Sequence, residues 1–135
     1  MKTVTIINPR YQETDQMGVI HHSVYPVWYE VGRVDYLEQI GMPYEKINKL
    51  GYHMAIIEMG STFKKPAFFG KPVFLHTSLV ESSKVKMKLI YEMYNENDEL
   101  IHEGFTVLVW LNKDLKPINI AKENIELYQL FESLL

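Results

Sequence analysis

The sequence predicts an α+β fold in which an antiparallel β-sheet packs over one long α-helix. Apolar residues recur every three or four positions over residues 24–37, which is the spacing of a helix face. After residue 52 the apolar period changes to two, which is typical of strands, and turn residues separate the segments. Hairpin-linked strands pair antiparallel, and a lone helix buries its apolar stripe against such a sheet. The chain of 135 residues is expected to form one domain, residues 1–135.

The long helix is predicted to begin at Ser23, a preferred N-cap residue, and to end at Gly41. Pro26 falls in the first turn, where its missing N–H costs nothing. Gly32 lies inside the helix at a cost of roughly 1 kcal/mol relative to Ala, which close approach of a strand would explain. The apolar stripe expected to face the sheet comprises Val24, Val27, Trp28, Val31, Val34 and Leu37.

The other elements follow from local composition. A β-branched strand is expected over residues 3–8, followed by a polar loop over 10–22 that contains Gly18. A short helix over 43–50 ends at Gly51. Four strands are predicted over 53–63, 72–80, 84–94 and 100–111, and a closing helix over 122–134. The clearest alternation has one apolar face, made of Val85, Met87, Leu89, Tyr91 and Met93.

Composition excludes several classes of function. The chain has no cysteine, so disulfides, zinc–thiolate sites and thiol nucleophiles are excluded. A net charge of −3 argues against a nucleic-acid partner. No apolar run approaches the roughly 18 residues of a membrane span, and the N-terminus does not resemble a signal peptide. We therefore expect a soluble cytoplasmic protein. The histidines at 53, 76 and 102 lack metal-site spacing and are expected to be ordinary strand residues.

Residues 11–30 place an acidic residue, a glycine and a helix N-terminus within a short stretch. The unpaired N–H groups at a helix N-terminus carry partial positive charge and stabilise the oxyanion formed when a thioester carbonyl is attacked. Asp15 offers a general base or a nucleophile. Gly18 allows the backbone to turn tightly and to approach a ligand closely. This arrangement suits acyl transfer.

The segment Thr14-Asp-Gln-Met-Gly-Val-Ile-His-His-Ser-Val-Tyr25 resembles the signature of the 4-hydroxybenzoyl-CoA thioesterase type of hotdog-fold acyl-CoA thioesterase. The pair Tyr29-Glu30 with Arg33, and the segment Phe63-Lys-Lys-Pro-Ala67, also match that family. The resemblance covers the order of elements along essentially the whole chain, and it implies the α+β hotdog fold, in which the antiparallel β-sheet wraps around one long central α-helix. The chain departs from the family pattern by carrying Glu13, Met17 and Val24 where Asp, a small residue and Asn are usual. Met17 and Val24 are expected to narrow or reshape the acyl pocket.

The resemblance implies that the protein hydrolyses acyl-CoA, with Asp15 as the catalytic carboxylate and the backbone N–H of His22 polarising the thioester carbonyl. Asp15 either attacks directly or activates water. The family also implies a homodimer or homotetramer with active sites at a dimer interface, and no cofactor, since CoA is part of the substrate. We expect Gly18 and Val19 beside the substrate and Tyr25 in the wall of the acyl site.

Basic clusters over residues 64–88 are either solvated strand faces or a holder for the CoA phosphates, for which we select Lys64 and Lys65. Glu30 is the rival to Asp15 as catalytic carboxylate, although its simpler interpretation is an ion pair with Arg33 on the helix. Two other functions stay open: a thioesterase acting on acyl carrier protein, and a non-catalytic module that binds acyl-CoA.

Overall fold

A computed structural model describes residues 1–135 and contains one five-stranded sheet. The strands lie in the order β1-β3-β4-β5-β2, and every neighbouring pair is antiparallel. The elements are β1 (Lys2–Ile7), α1 (Tyr25–Gln39), α2 (Tyr44–Lys49), β2 (Tyr52–Phe63), β3 (Val73–Ser82), β4 (Lys86–Tyr94), β5 (Leu100–Asn112), α3 (Ile120–Glu123) and α4 (Ile125–Ser133). The predicted fold class is confirmed.

The long helix begins differently from the prediction. A 3₁₀ turn, His22–Val24, precedes α1, and its cap is His21, whose Nδ1 accepts a hydrogen bond of 3.2 Å from the Ser23 N–H. Ser23 is therefore a donor at this end of the helix, and its prediction as N-cap is wrong. Pro26 does lie in the first turn. Gly41 follows the helix with φ of +81°, a conformation that glycine adopts without strain.

The face of α1 that packs on the sheet also differs from the predicted stripe. The valines at 27, 31 and 34 are 53%, 42% and 37% exposed. The buried residues of α1 are Tyr25, Trp28, Tyr29, Gly32, Arg33, Tyr36 and Leu37. Gly32 explains the rotation, because a Cβ there would stand 2.7 Å from Leu75 Cδ2 and from Thr77 Oγ1 on β3. The helix approaches the sheet this closely only along its glycine, which turns the valines outward.

The observed ends of the strands lie within one or two residues of the predicted ends. On β4 the residues Met87, Leu89, Tyr91 and Met93 are buried, while Val85 lies outside the strand and is exposed. The closing helix is divided in two at Asn124, whose side chain accepts from the Leu127 N–H and so starts α4.

Strand β2 forms one edge of the sheet, since it pairs only with β5. Several large apolar side chains on this edge are exposed, namely Ile56, Ile57, Met59 and Phe63. An edge strand of this kind presents unpaired backbone groups together with apolar surface, which is the typical appearance of a strand that pairs with another chain.

Candidate active site

Asp15 lies in a tight loop closed by the isolated bridge between Thr14 and Ile20. Its Oδ1 accepts from the N–H of Met17 at 2.8 Å and from the N–H of Val19 at 3.3 Å. Gly18 closes the turn with φ of +80°. Because both of these bonds go to Oδ1, the other oxygen of the half-buried carboxylate has no partner in the protein and is free to face a reactant.

Backbone hydrogen bonds fasten this loop to the start of α1 and to the segment that follows β2. The His21 N–H donates to the Glu13 carbonyl at 2.9 Å, and the Ile20 N–H donates to the Ala67 carbonyl at 2.9 Å. A surface pocket of about 420 Å³ opens beside the loop. It is lined by Tyr11, Thr14, Gly18, Phe68, Phe69 and Lys71. Three chain segments therefore converge where the carboxylate lies.

The backbone N–H of His22 has no acceptor among the turn, loop and cap hydrogen bonds of the protein. The neighbouring N–H groups all have acceptors. Those of Ile20, His21 and Val24 donate to backbone carbonyls, and that of Ser23 donates to the His21 side chain. His22 is exposed and begins the 3₁₀ turn that leads into α1. This donor is therefore left to a ligand oxygen, at the positive end of the helix dipole.

Glu13, which departs from the family pattern, supports the loop from below. It is 7% exposed, its Oε1 accepts from the Arg10 N–H at 2.7 Å, and its Oε2 accepts from Trp28 Nε1 at 3.1 Å. The longer side chain of Glu thus joins the loop to the first turns of α1. The sequence shows the substitution but contains no signal for the indole as its partner.

Lys64 and Lys65 lie on the same segment as Ala67, and their side chains are 42% and 52% exposed. Lys64 Nζ lies 3.9 Å from a Glu103 carboxylate oxygen, and Lys65 forms an ion pair with Glu99. Exposed pairs of this kind contribute little to stability, typically below about 1 kcal/mol, so an incoming phosphate can replace the carboxylate.

The expected ion pair between Glu30 and Arg33 is not formed, and this prediction is wrong. Arg33 points into the core and donates to the Tyr91 hydroxyl at 3.3 Å, whereas Glu30 is exposed beside Val31. The close contact at Gly32 fixes the helix rotation that separates them. Burial disfavours the Arg33 charge, but the tyrosine hydroxyls around it favour it and leave its pKa raised overall.

Tyr25 is buried at the start of α1, and its ring stacks on His102 with a centroid distance of 4.1 Å. His102 is fully buried and is hydrogen-bonded through Nε2 to the Tyr29 hydroxyl at 2.5 Å. It is therefore more than the ordinary strand residue expected from sequence. The alternation of β5 offered a signal, because Trp110 and Leu108 face inward and the same period places residue 102 inward too.

Burial lowers the pKa of His102 to about 4. In the unfolded chain a histidine titrates near pH 6.5, so between about pH 6.5 and 4 the unfolded state binds more protons than the folded state. We expect the free energy of unfolding to decrease across this window as the pH falls, with a contribution from this group on the order of 3 kcal/mol. Urea unfolding at a series of pH values measures it. The variant His102→Gln should have the shallower slope, and equal slopes would contradict the assignment.

None of the helices combines the length and the apolar character that a membrane span requires.

Comparison with known proteins identifies the family to which the chain belongs. Residues 9–124 match the model of the Thioesterase-like superfamily. A candidate acyl-CoA thioesterase of Bacillus subtilis, YneP, is 32% identical over 86% of this chain and 85% of its own length.

Two solved structures are similar over nearly the whole chain. A DHNA-CoA thioesterase from Staphylococcus aureus superimposes with a TM-score of 0.92 at 32% identity, covering 98% of this chain and 89% of that one. A hypothetical protein from Thermus thermophilus superimposes with a TM-score of 0.90 at 38% identity, covering 100% and 98%. The chain belongs to the Thioesterase-like superfamily and is a thioester-hydrolysing enzyme of the hotdog fold.

Proposed function

We propose that the protein hydrolyses acyl-CoA thioesters to a free carboxylic acid and CoA, with Asp15 as the catalytic carboxylate and the His22 N–H as the donor to the thioester oxygen. One observation supports the proposal most directly. Asp15 has a carboxylate oxygen without a partner, and the His22 N–H has no acceptor. The two chain segments that carry these groups are joined by the hydrogen bond from the His21 N–H to the Glu13 carbonyl. The resemblance of the Asp15 segment supports the further proposal that the chain, within the superfamily, is of the 4-hydroxybenzoyl-CoA type.

The chemistry has two routes that use the same groups. In the first, an Asp15 oxygen attacks the thioester carbon, the C–S bond breaks, CoA leaves as a thiolate, and water then hydrolyses the anhydride. In the second, Asp15 takes a proton from a water molecule, which attacks the carbon directly; the tetrahedral intermediate then breaks its C–S bond, and CoA leaves as a thiolate that takes up the proton. In both, negative charge develops on the carbonyl oxygen, where the His22 N–H and the helix dipole stabilise it. Neither route requires a cofactor.

The remaining site residues have supporting roles in this proposal. Gly18 and Val19 form the turn that holds the carboxylate, and Gly18 also lines the open pocket beside it. Tyr25, whose ring stacks on His102, forms the inner wall of the acyl site at the start of α1. Lys64 and Lys65 bind the CoA phosphates as point charges after releasing Glu103 and Glu99.

We also propose that the enzyme is a cytoplasmic homodimer or homotetramer that pairs through β2. The exposed apolar residues of this edge support the proposal, since pairing with a second copy buries them and satisfies the unpaired backbone groups. The Asp15 loop packs on the segment that directly follows β2, so such an interface would lie beside the candidate site.

A panel of acyl-CoA esters assayed by thiol release tests the proposed function. The panel should contain short-chain, long-chain and aromatic acyl groups, each presented on CoA and on acyl carrier protein. We expect turnover of at least one CoA ester with a higher kcat/KM than the same acyl group on the carrier protein. A preference for the carrier would favour that alternative substrate, and tight binding without turnover would favour a binding module.

A further inference from the structure

Two turns at one end of the sheet form a surface that the proposed hydrolysis does not use. One turn joins β3 to β4 over residues 82–86, and the other follows β5 over residues 112–116, between the bridged residues Leu111 and Pro117. Backbone bonds hold the two turns together. The Trp110 N–H donates to the Val85 carbonyl at 3.0 Å, and the Ile120 N–H of α3 donates to the Lys84 carbonyl at 2.7 Å. We call the two turns and α3 the basic end.

The basic end carries five exposed lysines against two acids, Asp114 and Glu123. The lysines are Lys84, Lys86, Lys113, Lys116 and Lys122. None of them forms an ion pair, whereas the lysines at 2, 49, 64, 65 and 71 all do. Glu81, near the end of β3, lies opposite Lys88 in the register. The basic end therefore has a net charge of +3 in a chain whose net charge is −3, and the fold leaves this positive charge without partners.

Leu115 lies at the tip of the second turn in a conformation that leucine rarely adopts. Its φ is +59°, and its side chain is 65% exposed. The turn is firmly closed, because Asn112 Oδ1 accepts from the N–H groups of Asp114 at 2.9 Å and Lys116 at 3.0 Å. Glycine or asparagine is the usual residue in this conformation, and an exposed leucine gains little packing within the fold. A contact outside the chain would account for its presence.

Val85 has the corresponding position in the first turn. It is 48% exposed and lies between Lys84 and Lys86. Ser83 fixes this tip, since its Oγ accepts from the N–H of Val85 at 3.3 Å and from that of Lys86 at 3.1 Å. Each turn thus presents one bulky aliphatic side chain, with lysines on both sides along the chain, on a backbone that hydrogen bonds already hold.

The composition of the basic end favours a lipid surface over other anionic partners. Protein interfaces are depleted in lysine and enriched in arginine and aromatic residues, and single-stranded nucleic acids are bound by aromatic stacking. Residues 82–86, 112–116 and 120–123 contain neither arginine nor an aromatic residue. Lysine is a flexible point charge that suits lipid phosphates, and aliphatic side chains between lysines can enter the boundary between headgroups and acyl chains.

The basic end lies at the opposite end of the sheet from the candidate site. In the register of β2 with β5, Phe63 lies opposite His102 near the site, and Tyr52 lies opposite Asn112 at the basic end. The span from residue 102 to residue 112 is about 33 Å at the rise of a β-strand. A protein bound through the basic end would keep the Asp15 loop turned towards water and open to substrate.

We propose that the protein binds the surface of anionic phospholipid bilayers through the basic end, with Leu115 and Val85 inserted at the headgroup boundary and the five lysines beside lipid phosphates. The binding is peripheral and reversible, because two aliphatic side chains bury far less apolar surface than a spanning helix. It goes beyond the proposed hydrolysis and does not depend on it, since none of these residues belongs to the candidate site.

Co-sedimentation with unilamellar vesicles tests the role of charge. We expect the full-length protein to bind vesicles made of equal parts of phosphatidylcholine and phosphatidylglycerol, not to bind phosphatidylcholine alone, and to be released as the salt concentration rises. The double variant Lys84→Gln/Lys86→Gln should raise the apparent Kd about tenfold or more, at roughly fivefold for each lysine. Lys71→Gln removes the same kind of charge at the other end of the sheet and should bind vesicles as the wild type does.

Leu115→Asn tests insertion without endangering the fold. Asparagine adopts positive φ more readily than leucine, so the Tm should stay equal or rise, while the apparent Kd should increase about tenfold. Because the chain has no cysteine, Leu115→Cys accepts a single polarity-sensitive fluorophore. Its emission should shift to the blue on the mixed vesicles. The same label on Asn97→Cys, in the hairpin between β4 and β5 at the opposite end, should not shift.

The remaining outcomes overturn the proposal. No binding to the mixed vesicles would remove the lipid surface, and binding to polyglutamate instead, lost in the double lysine variant, would give the basic end to an acidic protein. Equal weakening by Lys71→Gln would mean diffuse attraction by the whole chain. Unchanged binding of Leu115→Asn, or an unshifted label at residue 115, would mean attraction without insertion.

Hydrolysis of a water-soluble acyl-CoA ester, measured in parallel, keeps this proposal separate from the proposed function. The double lysine variant and Leu115→Asn should leave kcat/KM within about twofold of the wild type, since both changes lie far from the candidate site. An inactive wild type that still binds vesicles would contradict the proposed function alone. An active wild type that binds none would contradict only the lipid surface.

Discussion

Replacement Asp15→Asn should lower kcat by at least about a hundredfold while the dissociation constant for the CoA ester stays nearly unchanged. An amide oxygen can still accept from the N–H groups of Met17 and Val19, so the loop should keep its conformation. What the amide lacks is the basic and nucleophilic character of the second carboxylate oxygen. Steady-state kinetics and calorimetric binding on the same preparation separate the two effects.

Glu30→Gln is the matched control for Asp15→Asn. Glu30 is the rival carboxylate, it is exposed on the outer side of α1, and its replacement should reduce kcat only mildly. The reverse result, with Glu30→Gln inactive and Asp15→Asn active, would transfer the catalytic role to the helix. Unchanged ester binding together with absent turnover in the wild type would instead indicate a binding module.

The order of elements could be predicted from sequence because each strand and helix carries a local signal. Period-two alternation located β4, and Gly41 and Gly51 located the ends of two helices. The rotation of α1 could not be predicted in this way. A valine stripe and an aromatic stripe compete on that helix, and the choice depends on which face allows close approach to β3, a tertiary contact made at Gly32.

The same distinction applies to the candidate site. The segment around Asp15 is contiguous, so its sequence indicated the carboxylate and the helix start together. The supporting contacts join residues far apart in the chain, as when Trp28 donates to Glu13 or Tyr29 meets His102 on β5. No local pattern in the sequence encodes those pairs, so the hydrogen bonds between them could not be predicted.

The burial of Tyr29 also explains why residue 104 is glycine. A side chain at residue 104 is therefore expected to lower the stability of the fold strongly. A Cβ built on Gly104 would stand 2.0 Å from the Tyr29 hydroxyl oxygen and 2.2 Å from Cζ of the same ring. Tyr29 is fully buried, stacked on Tyr91 and bonded at its hydroxyl, so it has no free space into which to move. We expect Gly104→Ala to destabilise the fold by about 1–3 kcal/mol or more, measured by urea unfolding.

Gly60→Ala is the matched comparison. Gly60 on β2 lies directly opposite Phe105 on β5, the residue that follows Gly104. A Cβ at residue 60 would stand 2.3 Å from Phe105 Cε1, so the steric overlap is similar to that at residue 104. Phe105 lies on the opposite side of the sheet from the core, is half-buried, and can rotate towards solvent. The destabilisation should therefore be clearly smaller at residue 60. Equal effects would mean that strand propensity, and not the fixed tyrosine, determines the cost of a side chain at these glycines.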